Sequence, residues 1–455
     1  MPSNPGENLE QGLRHQLSAG QMAMVAVGGS IGTGLLLGSG AAIDLAGPAV
    51  IISFALAALI NWTVAMALGE LSSLHPAAAS FGLYGELYLN GWAGFLARGG
   101  YWAAISISIG AEMVAAATYL NYWFPRVPST IWAVLFSVVL LAINLLSVGK
   151  YGRFEFWFAM IKVVTIAAFI IIGSALLLTG QVAPQYSLHG GFFPRGTLAP
   201  LLAMTFAIYA FGGVEFVAVT SGESLSASEV AKAVWRAFLI LTFVYLGAIA
   251  VLVGVMPWNH AGVTESPFVT VFRSVNLPGA SHVMNFVVLT AALSGANAAV
   301  YISSRMLFSL ARSGWAPAAL GRLNPRGSPT LAVLASSYGI VVALILEKWA
   351  AERALVYILR GAFFGMILSW VVSLAAHISF RRRATRSELQ ALPLKSPLGI
   401  WGSIIGFIMI GFTILKGWWD SRVNLVSGVG YLILLTGAYW LLKDARKRHQ
   451  ANRKQ

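Results

Sequence analysis

The sequence predicts an all-α integral membrane protein with twelve transmembrane helices in one domain. Of its 455 residues, 58% are hydrophobic and only 10% are charged, and the mean hydropathy is +0.75. Soluble domains carry about 25% charged residues, so this composition places the chain in the membrane class. The apolar segments must be helical, because lipid offers no hydrogen-bond partner to an unpaired backbone group.

Twelve segments are apolar and long enough to cross about 30 Å of hydrocarbon. They lie near 21–43, 47–69, 92–122, 130–148, 155–180, 198–221, 233–256, 280–311, 330–346, 354–378, 398–416 and 425–442. No long linker interrupts them, so we predict one transmembrane domain over 21–442. A polar segment, 1–20, precedes this domain, and a basic tail, 443–455, follows it.

Lysine and arginine are distributed unevenly between the two sides of the predicted membrane. With the N-terminus inside, 22 of the 30 basic residues fall on the cytoplasmic side, as the positive-inside rule requires. The net charge of +14 therefore reflects topology and does not indicate nucleic acid as a partner. We expect a multi-pass protein of the cell (inner) membrane, embedded in the lipid bilayer, with both termini in the cytoplasm.

The first span contains an unusual glycine-rich segment, GGSIGTGLLLGSG, from Gly28 to Gly40. Glycine disfavours helix by about 1 kcal/mol relative to alanine, so the four glycines within 28–34 disfavour a continuous helix by roughly 4 kcal/mol. One interpretation is close helix packing, which small residues four positions apart permit. The other is an interrupted helix, whose freed amides bind an anionic group of a ligand.

A second glycine pair favours the interrupted helix. Gly212 and Gly213 lie in the middle of the sixth span, and Glu215 follows them closely. The first and sixth spans are equivalent members of two five-helix repeats, about 21–180 and 198–378, with helices eleven and twelve outside them. Binding sites in such proteins form where two interrupted helices meet, so we predict a ligand site between the two glycine-rich breaks.

Four ionisable residues stand out inside predicted spans, where a charge is costly and usually functional: Glu112, Lys162, Glu215 and Arg360. Lys162 either extends to the cytoplasmic surface or replaces a coupling cation and exchanges a proton. Glu215 could meet a substrate ammonium, hold the broken helix or titrate. Glu112 is as compatible with a structural pairing as with a role in transport.

Other charges near the spans have ordinary structural explanations. Arg360 is expected to pair with Glu347 or Glu352. Glu70 and Arg98 fall at span ends, where placement at the membrane interface is expected.

Nothing in the sequence favours an enzyme or a metalloprotein. The absence of cysteine excludes disulfides, thiolate metal sites and a cysteine nucleophile. The seven histidines lie in loops or near span ends, and no H-E-x-x-H or similar metal-binding spacing occurs. We therefore predict no catalytic residue, no cofactor and no metal.

Four segments resemble a known family: GGSIGTGLLLGSG, GELSSLHPAAASFGLYGE, FWFAMIKVVTI and NFVVLTAALSGANAAVYISSRMLFSLARSGWAP. They are similar to bacterial amino acid permeases of the amino acid–polyamine–organocation (APC) superfamily, in the branch of the aromatic, lysine and γ-aminobutyrate permeases. The likeness extends over roughly 12–445. It implies a LeuT-like fold with a 5+5 inverted repeat, discontinuous helices 1 and 6, and alternating access.

The resemblance also implies site residues. It places a substrate carboxylate on Thr33 and Gly34, and an α-ammonium near main-chain carbonyls around Ser30, Tyr209 and Gly212. The implied substrate-binding residues are Ser30, Ile31, Gly32, Thr33, Gly34, Tyr101, Ile105, Phe206, Tyr209, Phe211, Gly212 and Glu215. The implied proton-coupling residues are Lys162, which matches a lysine that replaces a sodium site in proton-coupled relatives, and Glu215. Candidates for a gate or charge pair are Glu112, Glu223 and Arg360.

Departures from the family pattern bear on the substrate. Lysine-transporting relatives pair acidic groups that match Glu215 and Glu223, but they present an aromatic residue where this chain has Ile105. That difference disfavours a cationic substrate. Arg360 has no family counterpart, and it could favour acidic substrates if it faced the outer vestibule.

We predict a secondary active transporter that imports a neutral α-amino acid, aromatic or aliphatic, by proton symport with the monomer as transport unit. Alternatives on the same fold are an amino acid exchanger and a carrier of cationic amino acids or γ-aminobutyrate. A nontransporting membrane sensor of amino acids is an alternative of another class. It would carry an added soluble domain, for which no cytoplasmic loop is long enough.

Overall fold

A computed structural model describes residues 17–76, 80–146, 151–262, 264–274, 279–324, 328–420 and 422–452. Nearly all regular structure in this part of the chain is helical. Numbered along the chain, the α-helices are α1 Ala19–Ser30, α2 Thr33–Leu36, α3 Gly38–Ala46, α4 Val50–Leu74, α5 Ser80–Tyr88, α6 Gly91–Asn121, α7 Ser129–Leu146, α8 Tyr151–Leu178, α9 Ala199–Ala210, α10 Phe216–Thr220, α11 Ala227–Val255, α12 Pro267–Ser274, α13 Ala280–Arg312, α14 Thr330–Ser336, α15 Tyr338–Arg383, α16 Arg386–Ala391, α17 Ile400–Asp420 and α18 Arg422–Asn452.

The all-α membrane class is confirmed. Eight helical segments of the described chain are long and apolar enough to cross a membrane: Gly38–Leu74, Gly91–Asn121, Glu155–Leu178, Ala227–Val255, Ala280–Arg312, Thr330–Trp349, Val356–Arg383 and Val426–Lys443. Shorter apolar helices are present at Ser129–Asn144, Ala199–Ala210 and Ile400–Lys416. The total of twelve spans and the inverted repeat stay predictions.

The predicted ninth span begins in α14 and continues into α15, and the same long helix α15 also contains the predicted tenth span. A straight helix would place Tyr338 and Gly365 about 40 Å apart. Both nevertheless contact the same part of α6, because the Tyr338 hydroxyl donates to the Ala103 carbonyl at 3.0 Å and Gly365 lies against Gly100. The helix axis therefore reverses between these contacts, so α15 provides two segments that pack on α6.

The first and sixth predicted spans are each interrupted at the predicted glycines. α1 ends at Ser30 and α2 begins at Thr33, with Gly32 in an extended conformation between them. α9 ends at Ala210 and α10 begins at Phe216. The connecting turn contains Gly213 at φ +118°, a region that residues with a Cβ rarely adopt.

Glu70 is buried in protein and not placed at the membrane interface as expected. Its side chain is fully buried and accepts hydrogen bonds from His377 Nε2 at 2.6 Å and from Arg381 Nε at 2.9 Å. The Ser396 amide donates to the same carboxylate. This network joins α4, the end of α15 and the segment before α17.

We expect Glu70→Ala to lower the free energy of unfolding by about 3–5 kcal/mol, because it leaves buried donors and a buried guanidinium without their carboxylate. Thermal unfolding of the purified protein in detergent measures the change. The matched control is Asp44→Ala, which removes an exposed pair with Arg195 and should cost less than about 1 kcal/mol. Equal stability of the two variants would contradict the assignment.

Arg98 is also buried, and the expected interfacial placement is wrong for it too. Its side chain is fully buried, with Nη2 2.9 Å from Glu86 Oε2 and Nη1 donating to Ser313 Oγ at 2.7 Å. Glu86 Oε1 also lies 3.1 Å from Arg446 Nη2. The guanidinium of Arg446 lies over the Trp315 ring. Through these contacts of Arg446, the first turn of the basic tail docks on the protein. Residues 1–16 and 453–455 lie outside the described chain.

Candidate functional site

The two helix breaks meet in the middle of the molecule. A Cβ on Gly213 would lie 2.8 Å from the Ser30 amide nitrogen, and a Cβ on Gly34 would lie 2.9 Å from Ala210 Cα. Real Cβ atoms do not approach other atoms this closely. The glycines therefore bring the backbones of the two interruptions into direct contact, which side chains at these positions would prevent.

A cavity opens beside this contact, between the breaks and helices α6, α13 and α15. Eight of the residues singled out in the sequence line it: Ser30, Gly32, Gly34, Ile105, Glu112, Tyr209, Gly212 and Glu215. The other lining residues were not predicted from the sequence: Gly29, Ala104, Ser108, Phe216, Gly295, Ala299, Ala362 and Met366. Most of these are small or apolar, so no motif distinguishes them from ordinary packing residues.

Five implied substrate-binding residues lie behind the cavity wall and not in it. Thr33 is buried next to Glu112, and Tyr101 is buried next to Glu215. The remaining three, Ile31, Phe206 and Phe211, are buried in the hydrophobic core. In this conformation these five residues do not line the cavity.

The carboxylate of Glu112, a residue of α6, lies at the start of α2. Its Oε1 accepts hydrogen bonds from both the amide and the hydroxyl of Thr33, each at 3.1 Å. Its side chain is 7% exposed, and its Oε2 has no hydrogen-bond partner within the described chain. A protein carboxylate thus takes the Thr33 donors that the family resemblance assigns to a substrate carboxylate.

Glu215 holds the second break together. Its Oε1 accepts from the Tyr101 hydroxyl at 2.7 Å, and its Oε2 accepts from the Gly213 amide at 3.0 Å. Of the three roles considered for Glu215, these contacts support the bracing of the broken helix. They also explain the position of Tyr101, which reaches across from α6 to that carboxylate.

The main-chain carbonyls around the breaks have partners in this conformation. The Ser30 carbonyl accepts from the Tyr245 hydroxyl at 2.6 Å and from the Gly32 amide at 2.9 Å. The Tyr209 carbonyl accepts from the Gly212 amide at 2.9 Å. An ammonium that used these carbonyls would therefore share or replace existing hydrogen bonds.

Lys162 is deeply buried in α8 and does not extend to the surface. It is 2% exposed, and its Nζ donates to the Gly28 carbonyl at 2.6 Å, just before the first break. A second buried ionisable residue near it, Glu155, was not predicted; it accepts a hydrogen bond from Ser294 Oγ at 2.8 Å. Glu155 precedes Lys162 by two helical turns, so the spacing already placed both on one face of α8.

The remaining candidates lie away from the cavity. Glu223 accepts from the Tyr301 hydroxyl at 2.9 Å, near the cytoplasmic end predicted for the sixth span. Arg360 is partly exposed on α15. Its proposed partner Glu347 accepts a hydrogen bond from Ser129, whereas the side chain of Glu352 lies outside the described part of the chain.

Fold and site together define a multi-pass helical membrane protein with a cavity where two interrupted helices meet. A family model described as amino acid permease matches residues 21–442. The chain belongs to the amino acid permease family, as the sequence motifs predicted. It is therefore a transporter and not an enzyme.

Known relatives agree with this assignment, and a solved structure shares the fold. The aromatic amino acid transport protein AroP of Escherichia coli O157:H7 is 36% identical over 443 residues, covering 94% of this chain and 96% of that protein. The gamma-aminobutyric acid permease of Bacillus subtilis is 36% identical over 397 residues, covering 85% of this chain and 84% of that protein. A crystal structure of the Eremococcus coleocola manganese transporter matches with a TM-score of 0.60 and 15% identity over 94% of each chain, which shows a shared fold only.

Proposed function

We propose that this permease imports a neutral α-amino acid across the cell (inner) membrane by proton symport. The cavity between the two breaks binds the amino acid, and the protein alternates between outward-open and inward-open states with both termini in the cytoplasm. The monomer is the transport unit.

One observation carries the proton coupling: a buried lysine is hydrogen-bonded to the backbone at a helix break. A protonated Lys162 donates to the Gly28 carbonyl, so it ties α8 to the half-helix that leads into the binding site. Loss of the proton weakens that tie. A proton shifts the equilibrium between the outward-open and inward-open states only if it binds the two states with unequal affinity. Lys162 links two helices at the break, so its affinity for a proton depends on how those helices are arranged.

The cavity lining supports a neutral substrate. Side chains that would surround the substrate side chain are apolar: Ala104, Ile105, Ala299, Ala362 and Met366. The carboxylates that line the cavity, Glu112 and Glu215, already accept hydrogen bonds from protein groups. Among the oxygens of these two carboxylates only Glu112 Oε2 lacks a hydrogen-bond partner within the described chain, so a charged substrate side chain would lose its hydration for a single free acceptor.

Uptake into proteoliposomes tests the proposal. A panel of labelled L-phenylalanine, L-leucine, L-threonine, L-lysine and γ-aminobutyrate is offered with and without an inward proton gradient, and with and without sodium. We expect concentrative uptake of a neutral α-amino acid only with the proton gradient. Strict sodium dependence, or preferred uptake of L-lysine, would contradict it.

Ile105 is expected to contribute to affinity for the substrate side chain. Ile105→Ala removes apolar contact from the cavity wall, and we expect the KM to rise at least about tenfold, since a single methylene in a hydrophobic pocket is worth about 1–3 kcal/mol. The control is Ile107→Ala, which makes the same change on α6 outside the cavity lining. An unchanged KM in Ile105→Ala would remove this residue from the binding site.

A further inference from the structure

We propose that Glu112 links proton binding to substrate binding, because its carboxylate occupies the hydrogen-bond donors that the substrate carboxylate needs. In the absence of substrate, ionised Glu112 fills that position. Substrate enters when Glu112 has taken up a proton from solvent. This inference rests on the proposed function and on the position at Thr33 and Gly34 that the family resemblance implies for the substrate carboxylate.

The surroundings of Glu112 are built to hold a carboxylate at the break. Both donors of Thr33, the amide and the hydroxyl, point to the same oxygen, Oε1. Glycines on two sides leave room for the group: a Cβ on Gly32 or on Gly295 would press on the carboxyl of Glu112. Two elements, the first break and α13, thus enclose a carboxylate supplied by a third, α6.

The second oxygen of Glu112 is available to a ligand. Oε2 is buried and has no hydrogen-bond partner among the described residues, while the side chain lines the cavity. A buried polar atom without a partner is costly. A proton on this carboxyl, or a donor group of a ligand, would satisfy it.

Electrostatics make the two carboxylates compete. Two carboxylates about 3 Å apart cannot both be ionised, so a substrate carboxylate at Thr33 excludes an ionised Glu112 beside it. Protonated Glu112 is neutral and becomes a hydrogen-bond donor, so it can donate to the substrate carboxylate. One proton is bound with each substrate, and it leaves when the substrate departs and Glu112 returns to Thr33.

The titratable groups that face Glu112 come from four helices. They are Lys162 of α8, Tyr209 of α9, Tyr245 of α11 and, on α6 itself, Tyr119. Lys162 is the cation of this set, and it also interacts with Glu155 of its own helix. Its ammonium ties α8 to the first break through the Gly28 carbonyl, whereas Glu112 carries the proton that is bound together with the substrate.

Proton uptake on substrate binding is the direct test. L-phenylalanine, L-leucine and L-threonine are added in turn to the purified wild-type protein in weakly buffered detergent solution with a pH indicator dye. We expect about one proton taken up per amino acid bound, at a pH where Glu112 is ionised. The apparent Kd should rise roughly tenfold per pH unit in that range, because only the protonated fraction is competent.

Glu112→Gln keeps the shape of the side chain but cannot ionise. We expect it to bind amino acid with a Kd independent of pH and without proton uptake. In proteoliposomes it should exchange substrate but fail to accumulate it under a proton gradient. The matched control is Glu347→Gln, which removes another buried carboxylate that accepts a hydrogen bond from a hydroxyl, that of Ser129. This variant should retain the proton uptake and pH dependence of the wild type.

The outcomes separate this inference from the proposed function. If Glu112→Gln still takes up a proton with substrate, another group such as Lys162 or Glu215 binds that proton. The inference about Glu112 then fails, whereas the proposed proton symport stands. Wild-type binding without proton uptake also overturns the inference, whether or not the variant folds. If none of the three amino acids binds or is transported at any pH, the proposed function itself fails.

Discussion

Lys162→Met is expected to reduce accumulation of amino acid against a gradient by roughly 10- to 100-fold, the size of a coupling free energy of about 1–3 kcal/mol. The substitution keeps an unbranched side chain in the space of the lysine but removes the ammonium. The Gly28 carbonyl then loses its donor, and the tie between α8 and the first break disappears. Uptake into proteoliposomes under an imposed proton gradient measures the effect.

Exchange of labelled for unlabelled substrate across the same liposomes should be reduced far less in Lys162→Met, because exchange does not require the proton to drive net movement. The control is Lys232→Met, at an exposed lysine near the start of α11 that pairs with Glu229. It should behave as wild type in both measurements. Full accumulation by Lys162→Met would exclude this lysine from the coupling.

Gly213→Ala is expected to abolish transport. Gly213 has φ +118°, and backbone strain at such a residue costs about 1–3 kcal/mol. The new methyl group would also lie 2.8 Å from the Ser30 amide nitrogen and 3.0 Å from Ser30 Cα. The two breaks must move apart, so the cavity between them changes shape. We expect uptake to fall at least tenfold.

A matched control is available in α17. Gly411→Ala makes the same change in a helix where a Cβ has nothing within 4 Å, so transport should equal that of the wild type. Size-exclusion profiles of both variants show whether each remains folded. Wild-type uptake by Gly213→Ala would contradict the close contact between the breaks.

Several features of the fold could be predicted because they depend on local composition. Uninterrupted apolar segments are helical in lipid whatever surrounds them, and clustered glycines disfavour helix wherever they occur. The breaks around Gly32 and Gly213 were therefore visible in the sequence. The spacing of Glu155 and Lys162 along one helix also indicated that both lie on the same face. Only Lys162 was predicted to be buried, because Glu155 is the first residue of the predicted span.

The partners of the buried charges could not be predicted in this way. Thr33 and Glu112 are 79 residues apart, and Glu70 and His377 are 307 apart. Nothing in the local sequence relates such residues, so Glu70 was expected at the interface. Their contacts follow from which helices pack together, and a buried polar group takes whichever partner that packing supplies.

The sequence by itself determined the membrane class, the positions of the helix breaks and the family, since each depends on residues close together in the chain. Only the tertiary structure decided that the breaks touch at Ser30 and Gly213, that Lys162 binds the Gly28 carbonyl, and that Glu112 takes the donors of Thr33. These contacts join α6, α8 and the two breaks. Their geometry is set by helix packing, which no single segment of the sequence contains.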